Sequence, residues 1–317
     1  MSEIVPDKEI IEHAHLRIKP YVHRTPILTS SFLNRLTGAE LFFKPENLQK
    51  IGAFKARGGV NAILSLTDTQ LKNGVATHSS GNHAQAIAYA AAMVGAKAYI
   101  VMPENSPSVK IKAVEDYGAE ISFCVNTPEE REASVKKIID RTGAAFIHPF
   151  NDYSVIAGQG TAAKELIEDA GVFLDNIVAP VGGGGLISGT ALSSHYFSPG
   201  TKVYAGEPEG AADAILSFHS DKIEKAPYVK TIADGLLTYL GPKTFPIIKE
   251  YVTDILTVSD EEIITAMRYL WERMKLVVEP SGAVSLATVL KNRELFAGTR
   301  TGIILTGGNV DLGKLPF

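Results

Sequence analysis

Lys55 stands between an aromatic and a small residue, Phe54 and Ala56, with glycines on both sides, in the stretch "GAFKARGG" (52–59) where a helix is about to begin. A solvated helix lysine needs no such setting, but a reactive amine does, provided other segments supply its partners. Three loops offer them. In "SSGNH" (79–83) two hydroxyls, the flexible Gly81 backbone and a following helix N-terminus would point N–H and O–H donors at a carboxylate. The plainer reading of those residues is an ordinary capped helix start. In "VGGGGLISG" four consecutive glycines, Gly182, Gly183, Gly184 and Gly185, would lose much backbone entropy on ordering. Their place in a strand-to-helix turn points to close approach by a ligand, with a phosphate on the helix N-terminus the leading candidate. The run has neither the G-K-[ST] ending of a P-loop nor a convincing dinucleotide fingerprint, and a flexible surface loop stays the alternative. In "LTGGNVDL" (305–312), Thr306 would present a neutral hydroxyl at a strand end, although Gly-Gly-Asn is also a good turn.

Each loop follows a run with strand character, and helical spacing comes next. "GVATH" (74–78) runs into an Ala-rich helical stretch; "KAYIVM" (97–102), closed by Pro103, precedes the helical "SVKIKAVEDYG" and then "AEISFCV". The rhythm returns with "NIVAPV" (176–181), "KVYAGE" (202–207) and "TGIILT" (301–306). Alternation of this kind predicts an α/β fold around largely parallel sheets, whose right-handed crossovers gather the loops along one edge. Residues 74–146 read as a small βαβαβ domain that ends at the turn "HPFND" and is inserted in a larger domain of residues 1–73 and 147–317. Two domains also suit 317 residues with 45% hydrophobic content, at roughly 150 residues per domain. A net charge of −4 with scattered Lys and Arg excludes nucleic acid and anionic membranes as partners. The single cysteine, Cys124, can neither form an internal disulfide nor anchor a thiolate metal cluster, and it fits a reducing compartment. The acidic start "MSEIVPDKEIIEHAHL" is unlike a signal peptide, and no apolar run approaches the ~20 residues of a membrane span. A soluble, cytoplasmic protein is predicted.

A lysine amine with a phosphate cradle, a carboxylate cradle and a neutral hydroxyl is what pyridoxal 5′-phosphate (PLP) requires. In this order, "GAFKARGG", "SSGNHAQ", "VGGGGLISG", "IADG", "VVEPSGA" and "LTGGNVDL" resemble the fold-type II PLP enzymes, in the serine racemase and catabolic serine/threonine dehydratase branch. "HRTPILTSS", "IAGQGT" and "WERMKLVVEP" extend the resemblance over nearly the whole chain. It implies two domains built on open twisted sheets, like the β subunit of tryptophan synthase, and a homodimer. With little chain after "LTGGNVDL", it implies no C-terminal regulatory domain of the biosynthetic threonine dehydratases. Two positions depart from the pattern: Ala53 stands where the family often has Ser, and Thr306 where this branch usually has Ser at the pyridine nitrogen.

Carried onto this sequence, the resemblance makes Lys55 the residue that bonds the cofactor aldehyde, with Phe54 beside the ring and Asn82 on its phenolic oxygen. Gly182, Gly183, Gly184 and Gly185 would hold the phosphate; Gly235 and Glu279 would lie near the ring; Thr306 would meet the ring nitrogen. Ser79, Ser80, Gly81, Asn82 and His83 would receive the substrate carboxylate, and Arg131 and Thr238 would reach its side chain. Glu207, the Ala211 carbonyl and Asp213, in "GEPEGAAD", resemble the family's divalent-cation site and would suit Mg²⁺ or Ca²⁺; solvated surface carboxylates are the plainer alternative. The chemistry implied is β-elimination from serine or threonine, with Lys55 as the base at Cα. Ser80, across the ring from Lys55, would add racemisation. A neutral Thr306 would leave the pyridine largely unprotonated, which favours elimination over transamination. Other readings are a 3-hydroxyaspartate dehydratase, a threonine synthase or sulfhydrylase of the same fold, and, from a different class, a nicotinamide-dependent oxidoreductase.

Overall fold

The computed structural model describes residues 4–317, which form an α/β protein with two parallel sheets. The strands are β1 (Glu40–Pro45), β2 (Val75–His78), β3 (Ala98–Pro103), β4 (Glu120–Cys124), β5 (Ala145–Phe146), β6 (Asn176–Pro180), β7 (Lys202–Pro208), β8 (Asp254–Val258) and β9 (Arg300–Leu305). One sheet has the order β1-β9-β6-β7-β8 and the other β4-β3-β2-β5, with every pairing parallel. Among the described residues no helix is long and apolar enough to cross a membrane.

The five-stranded sheet is buried on both faces, so its inner strands read as unbroken apolar runs. Successive residues go to opposite cores. Leu41, Phe43, Val178 and Ile303 pack with Leu270, Val284 and Leu286, while Phe42, Ile177 and Ile304 pack with Leu166, Ile187 and Ile248. Each such side chain contributes about 1.5–3 kcal/mol by leaving water. The core of the four-stranded sheet reaches upstream of its own strands, because Ile18, Val60 and Ile63 join Val75, Ile87 and Ile100.

Val60 and Ile63 belong to the helix Lys55–Leu64, which packs between the helices Asn82–Met93 and Tyr153–Asp169. Close approach is needed there: a Cβ on Gly158 would sit 2.7 Å from the Arg57 carbonyl oxygen. Charge also pins this helix. Arg57 is fully buried and donates to Glu46 Oε2 at 2.7 Å and to Glu165 Oε2 at 2.7 Å, and Lys44 Nζ donates to Glu165 Oε2 at 2.7 Å. The two cations and two carboxylates balance, which allows four charges to sit in a core. They hold the start of the lysine helix against the end of β1.

Candidate active site

The loops after β2, β6 and β9 meet in one cavity between the two sheets' strand ends. From the β2 loop come Ser79, Ser80, Gly81, Asn82 and His83; from the β6 loop, Gly182, Gly183, Gly184 and Gly185. Thr306, at the end of β9, lines the same space beside Phe54 and Lys55 at the start of the lysine helix. The β9 loop is stitched to that helix through Phe54 N, which donates to the Thr306 carbonyl at 3.0 Å. Gly235, Thr238, Glu279 and Arg131 complete the set expected from sequence.

Two of the helices that start at the cavity show how its loops are held without a side-chain cap. Asn82–Met93 begins after Gly81 and Gly185–Phe197 after Gly184, both without a capping hydrogen bond from the side chain. The capped-start reading of "SSGNH" is therefore not what the fold adopts: Ser79 Oγ instead accepts from Gly81 N at 3.2 Å, which shapes the loop. Only glycine suits position 184, where φ is +92° and a Cβ would lie 2.7 Å from Thr244 Oγ1. Thr244 in turn donates to the Gly183 carbonyl at 2.9 Å, so the glycine loop is a fixed turn and not a flexible one.

Lys55 Nζ donates to the Pro149 carbonyl at 2.8 Å and lies 5.3 Å from the centre of the Phe54 ring. Burial pushes its pKa down to about 8, which brings the neutral amine within reach of physiological pH. The histidines nearby are neutral for the same reason: burial takes His78 down to about 4 and His148 to about 3. His148 Nδ1 accepts from Asn151 N at 2.9 Å, and His83 holds Ile147 O at 3.3 Å through Nε2. Arg131 Nε is buried without a hydrogen-bond partner. Desolvation lowers the Arg131 pKa, the expected result for a cation held without a paired carboxylate. Lys55 and Arg131 thus leave the cavity positive, as a phosphate and a carboxylate require.

Sequence reasoning missed Lys110, Asp234, Pro149 and Phe150, which also line the cavity. Lys110 donates to Asp234 Oδ2 at 2.6 Å, and Glu279 Oε1 accepts from Asn82 Nδ2 at 2.6 Å. Asp234 lies inside the quoted "IADG", so its motif was in view; Lys110 sits on a helix with no local signal at all.

Residues 18–307 match the family described as pyridoxal-phosphate dependent enzyme. The chain belongs to this family. Its nearest features among PLP-dependent enzymes are those of fold type II, and the membership decides against the nicotinamide-dependent alternative. The chain is 51% identical over 313 residues to the β-hydroxyaspartate dehydratase of Paracoccus denitrificans (strain Pd 1222), covering 99% of both chains. It superposes on the crystal structure of serine racemase from Dictyostelium discoideum with a TM-score of 0.91 at 49% identity, over 96% of this chain and 99% of that one. Maize serine racemase gives a TM-score of 0.95 at 44% identity, over 98% and 95%. The residues present suit the PLP family's cofactor: an amine near pKa 8, a glycine turn at a helix N-terminus, a buried hydroxyl at Thr306 and a buried Arg131 Nε without a hydrogen-bond partner.

Away from the cavity, Glu207, Ala211 and Asp213 are all buried at the end of β7. Glu207 Oε1 and Oε2 accept from the backbone N–H groups of Ala214 at 2.6 Å and Ile215 at 3.0 Å, while Asp213 Oδ2 has no partner. Burial pushes Glu207 up to about 8, with the Asp213 charge adding to the rise, and burial takes Asp213 to about 7. The plainer reading of solvated carboxylates fails at this point. Among the described residues no cluster of three or more His, Cys, Asp or Glu is placed to hold a metal, so any ion here would rest on this pair, a carbonyl and water.

Proposed function

We propose that this chain is a dehydratase that converts L-serine or L-threonine to a 2-oxo acid and ammonia, and that it also interconverts L- and D-serine. The observation that carries the reading is the Lys55 amine, lowered to about 8, in one cavity with the glycine turn and the "SSGNH" loop. When bound, PLP supplies a carbonyl carbon for the substrate amine and a sink for the electron pair left at Cα. Lys55 would hold the cofactor, and its Nζ would take the proton from Cα of the L-substrate; a pKa near the working pH suits a general base. Ser79, Ser80 and the backbone of the "SSGNH" loop, with the uncapped helix start behind them, would bind the substrate carboxylate and so set which Cα bond meets Lys55. Phe54 would pack beside the ring, the glycine turn would hold the phosphate, and Thr306 would offer the ring nitrogen a neutral hydroxyl. Loss of the β-hydroxyl as water, followed by hydrolysis of the enamine, yields the 2-oxo acid and ammonia. Assay of L-serine, L-threonine and threo-3-hydroxyaspartate for 2-oxo acid, with chiral separation of serine, tests the reading. Release of no 2-oxo acid from any of the three rejects it.

A second reading, 3-hydroxyaspartate dehydration, is favoured by the unpartnered Arg131 Nε at the cavity wall, which would take a side-chain carboxylate, and by the 51% identity to the Paracoccus enzyme. A kcat/KM for threo-3-hydroxyaspartate above that for serine would select it.

Capture of the cofactor has a pH signature. The attacking amine must be neutral, so growth of the yellow absorbance band in apoprotein mixed with PLP should quicken as pH rises through about 8 and level off above it. An ordinary lysine would still be gaining rate near pH 10. A stopped-flow pH series that keeps climbing to about 10 means that Lys55 titrates as a solvated amine.

Glu207, Asp213 and the Ala211 carbonyl are read as ligands of Mg²⁺ or Ca²⁺, since two buried carboxylates with an unpartnered oxygen suit a hard cation. Chelation should lower the melting temperature of the wild type by several degrees and leave Asp213→Ala, already less stable, unmoved. A chelator that changes neither melting nor turnover of the wild type removes the ion from this account. The separate sheets support residues 74–146 as a smaller domain inserted in the larger one of 1–73 and 147–317. A homodimer rests on the family resemblance, and a cytoplasmic setting on the single cysteine.

A further inference from the structure

Lys110 is a cavity residue for which the reaction just described has no use. It lies on the helix Ser108–Asp116 beside the four-stranded sheet, is 4% exposed, and holds its Nζ 2.6 Å from Asp234 Oδ2 and 3.5 Å from Glu279 Oε2. Glu279 is 2% exposed and caps no helix N–H, although it occupies an N-cap position. Its Oε1 turns instead to Asn82 Nδ2 at 2.6 Å. Asn82 Oδ1 accepts from Asn309 Nδ2 at 2.9 Å, and that nitrogen's other hydrogen goes to the Ile51 carbonyl at 2.8 Å.

An asparagine amide has two N–H donors and one carbonyl. In Asn82 the carbonyl and one N–H are committed within the protein, which leaves one N–H for the cavity. Turned over, the amide would set its carbonyl against the Glu279 carboxylate and its NH₂ against the Asn309 NH₂, two repulsions that fix the orientation. The first repulsion exists only while Glu279 is ionised, because a neutral carboxyl has an O–H to donate to the reversed amide. Burial drives Glu279 toward the neutral acid and the nearby Asp234 charge adds to this, whereas Lys110 is the strongest influence in the other direction.

We propose that Lys110 is a positioning residue: its ammonium keeps Glu279 ionised, and ionised Glu279 orients the Asn82 amide so that its free N–H meets the phenolic oxygen of the cofactor. This rests on the reading of the cavity as the PLP site. Lys110 acts through two intermediaries, Glu279 and Asn82.

The test is the dissociation constant for PLP, read from the visible band on reconstituted wild type, Lys110→Met and Lys110→Arg at pH 6.5 and 8.5, with a melting curve for each. Lys110→Met should bind about tenfold more weakly than wild type at the lower pH, the loss of one charge-assisted hydrogen bond. The gap should narrow at the higher pH, because rising pH favours the ionised carboxylate that Lys110 otherwise maintains, and Lys110→Arg should stay within about threefold of wild type. Equal affinities of Lys110→Met and wild type at both pH values overturn the proposal. So does a pH-independent loss shared by Lys110→Arg, which is the mark of a packing role. Should Lys110→Met lack a cooperative melt, Glu279→Gln decides: its amide oxygen would turn to Lys110 and its NH₂ to Asn82, which reverses Asn82 and weakens PLP binding equally at both pH values. Wild-type affinity in Glu279→Gln overturns the proposal, and a wild type that takes up no PLP overturns the reading of the cavity as well.

Discussion

Lys55→Ala should fold as the wild type does, form no aldimine absorbance band with PLP, and lose turnover by at least about 10³-fold, within the range for removal of a general base. The fold survives because Lys55 opens its helix and gives up one hydrogen bond, to the Pro149 carbonyl. Alanine is a better helix former than lysine, and a single hydrogen bond is worth about 1 kcal/mol. Melting temperature should therefore shift by no more than a few degrees. The chemistry does not survive, because the covalent tether and the base at Cα are the same nitrogen. PLP held without a covalent bond would absorb as the free aldehyde, and borohydride would no longer fix it to the chain. A yellow, borohydride-trappable Lys55→Ala protein would place the covalent partner elsewhere.

Ser80→Ala should separate two outcomes that share the first proton transfer. Ser79 Oγ accepts the Gly81 N–H at 3.2 Å, and Ser80 holds the loop's other hydroxyl. If Lys55 exchanges the Cα proton on the L face and Ser80 on the D face, removal of Ser80 Oγ deletes one face only and adds no bulk. Interconversion of L- and D-serine and elimination from D-serine should fall by at least about 10²-fold, while elimination from L-serine persists at a measurable rate. Chiral separation of serine, run beside pyruvate release on both proteins, reads the split. Production of D-serine by the mutant at the wild-type rate would remove Ser80 as the second base, and a wild type that forms no D-serine would leave a dehydratase alone.

What the sequence determined by itself was local. Glycines at 182–185, hydroxyls at 79–80 and a hydroxyl at 306 are legible because turn conformation and hydrogen-bonding capacity belong to residue type and immediate neighbours. The strands β2, β3, β4, β6, β7 and β9 were readable from apolar runs ended by turn residues. The strands β1, β5 and β8 were not. "ELFFKP" contains a lysine that reads as solvent-facing, and "DILTV" lies at a sheet edge with a mixed burial pattern. Lys44 is in fact fully buried, because Glu165 arrives from 121 positions away to pair with it. The same holds for Lys110, whose partner Asp234 is 124 positions off, and for Asn82, whose partner Glu279 is 197 positions off. The resemblance to PLP enzymes pointed to Asn82 and Glu279 singly but not to the bond between them. Whether a charge can be buried depends on the opposite charge that meets it, and that meeting is made by parallel crossovers that bring distant strand ends to one edge. The tertiary structure alone therefore decided which lysines are solvated, which are paired, and that Lys55 is left as an amine with a depressed pKa.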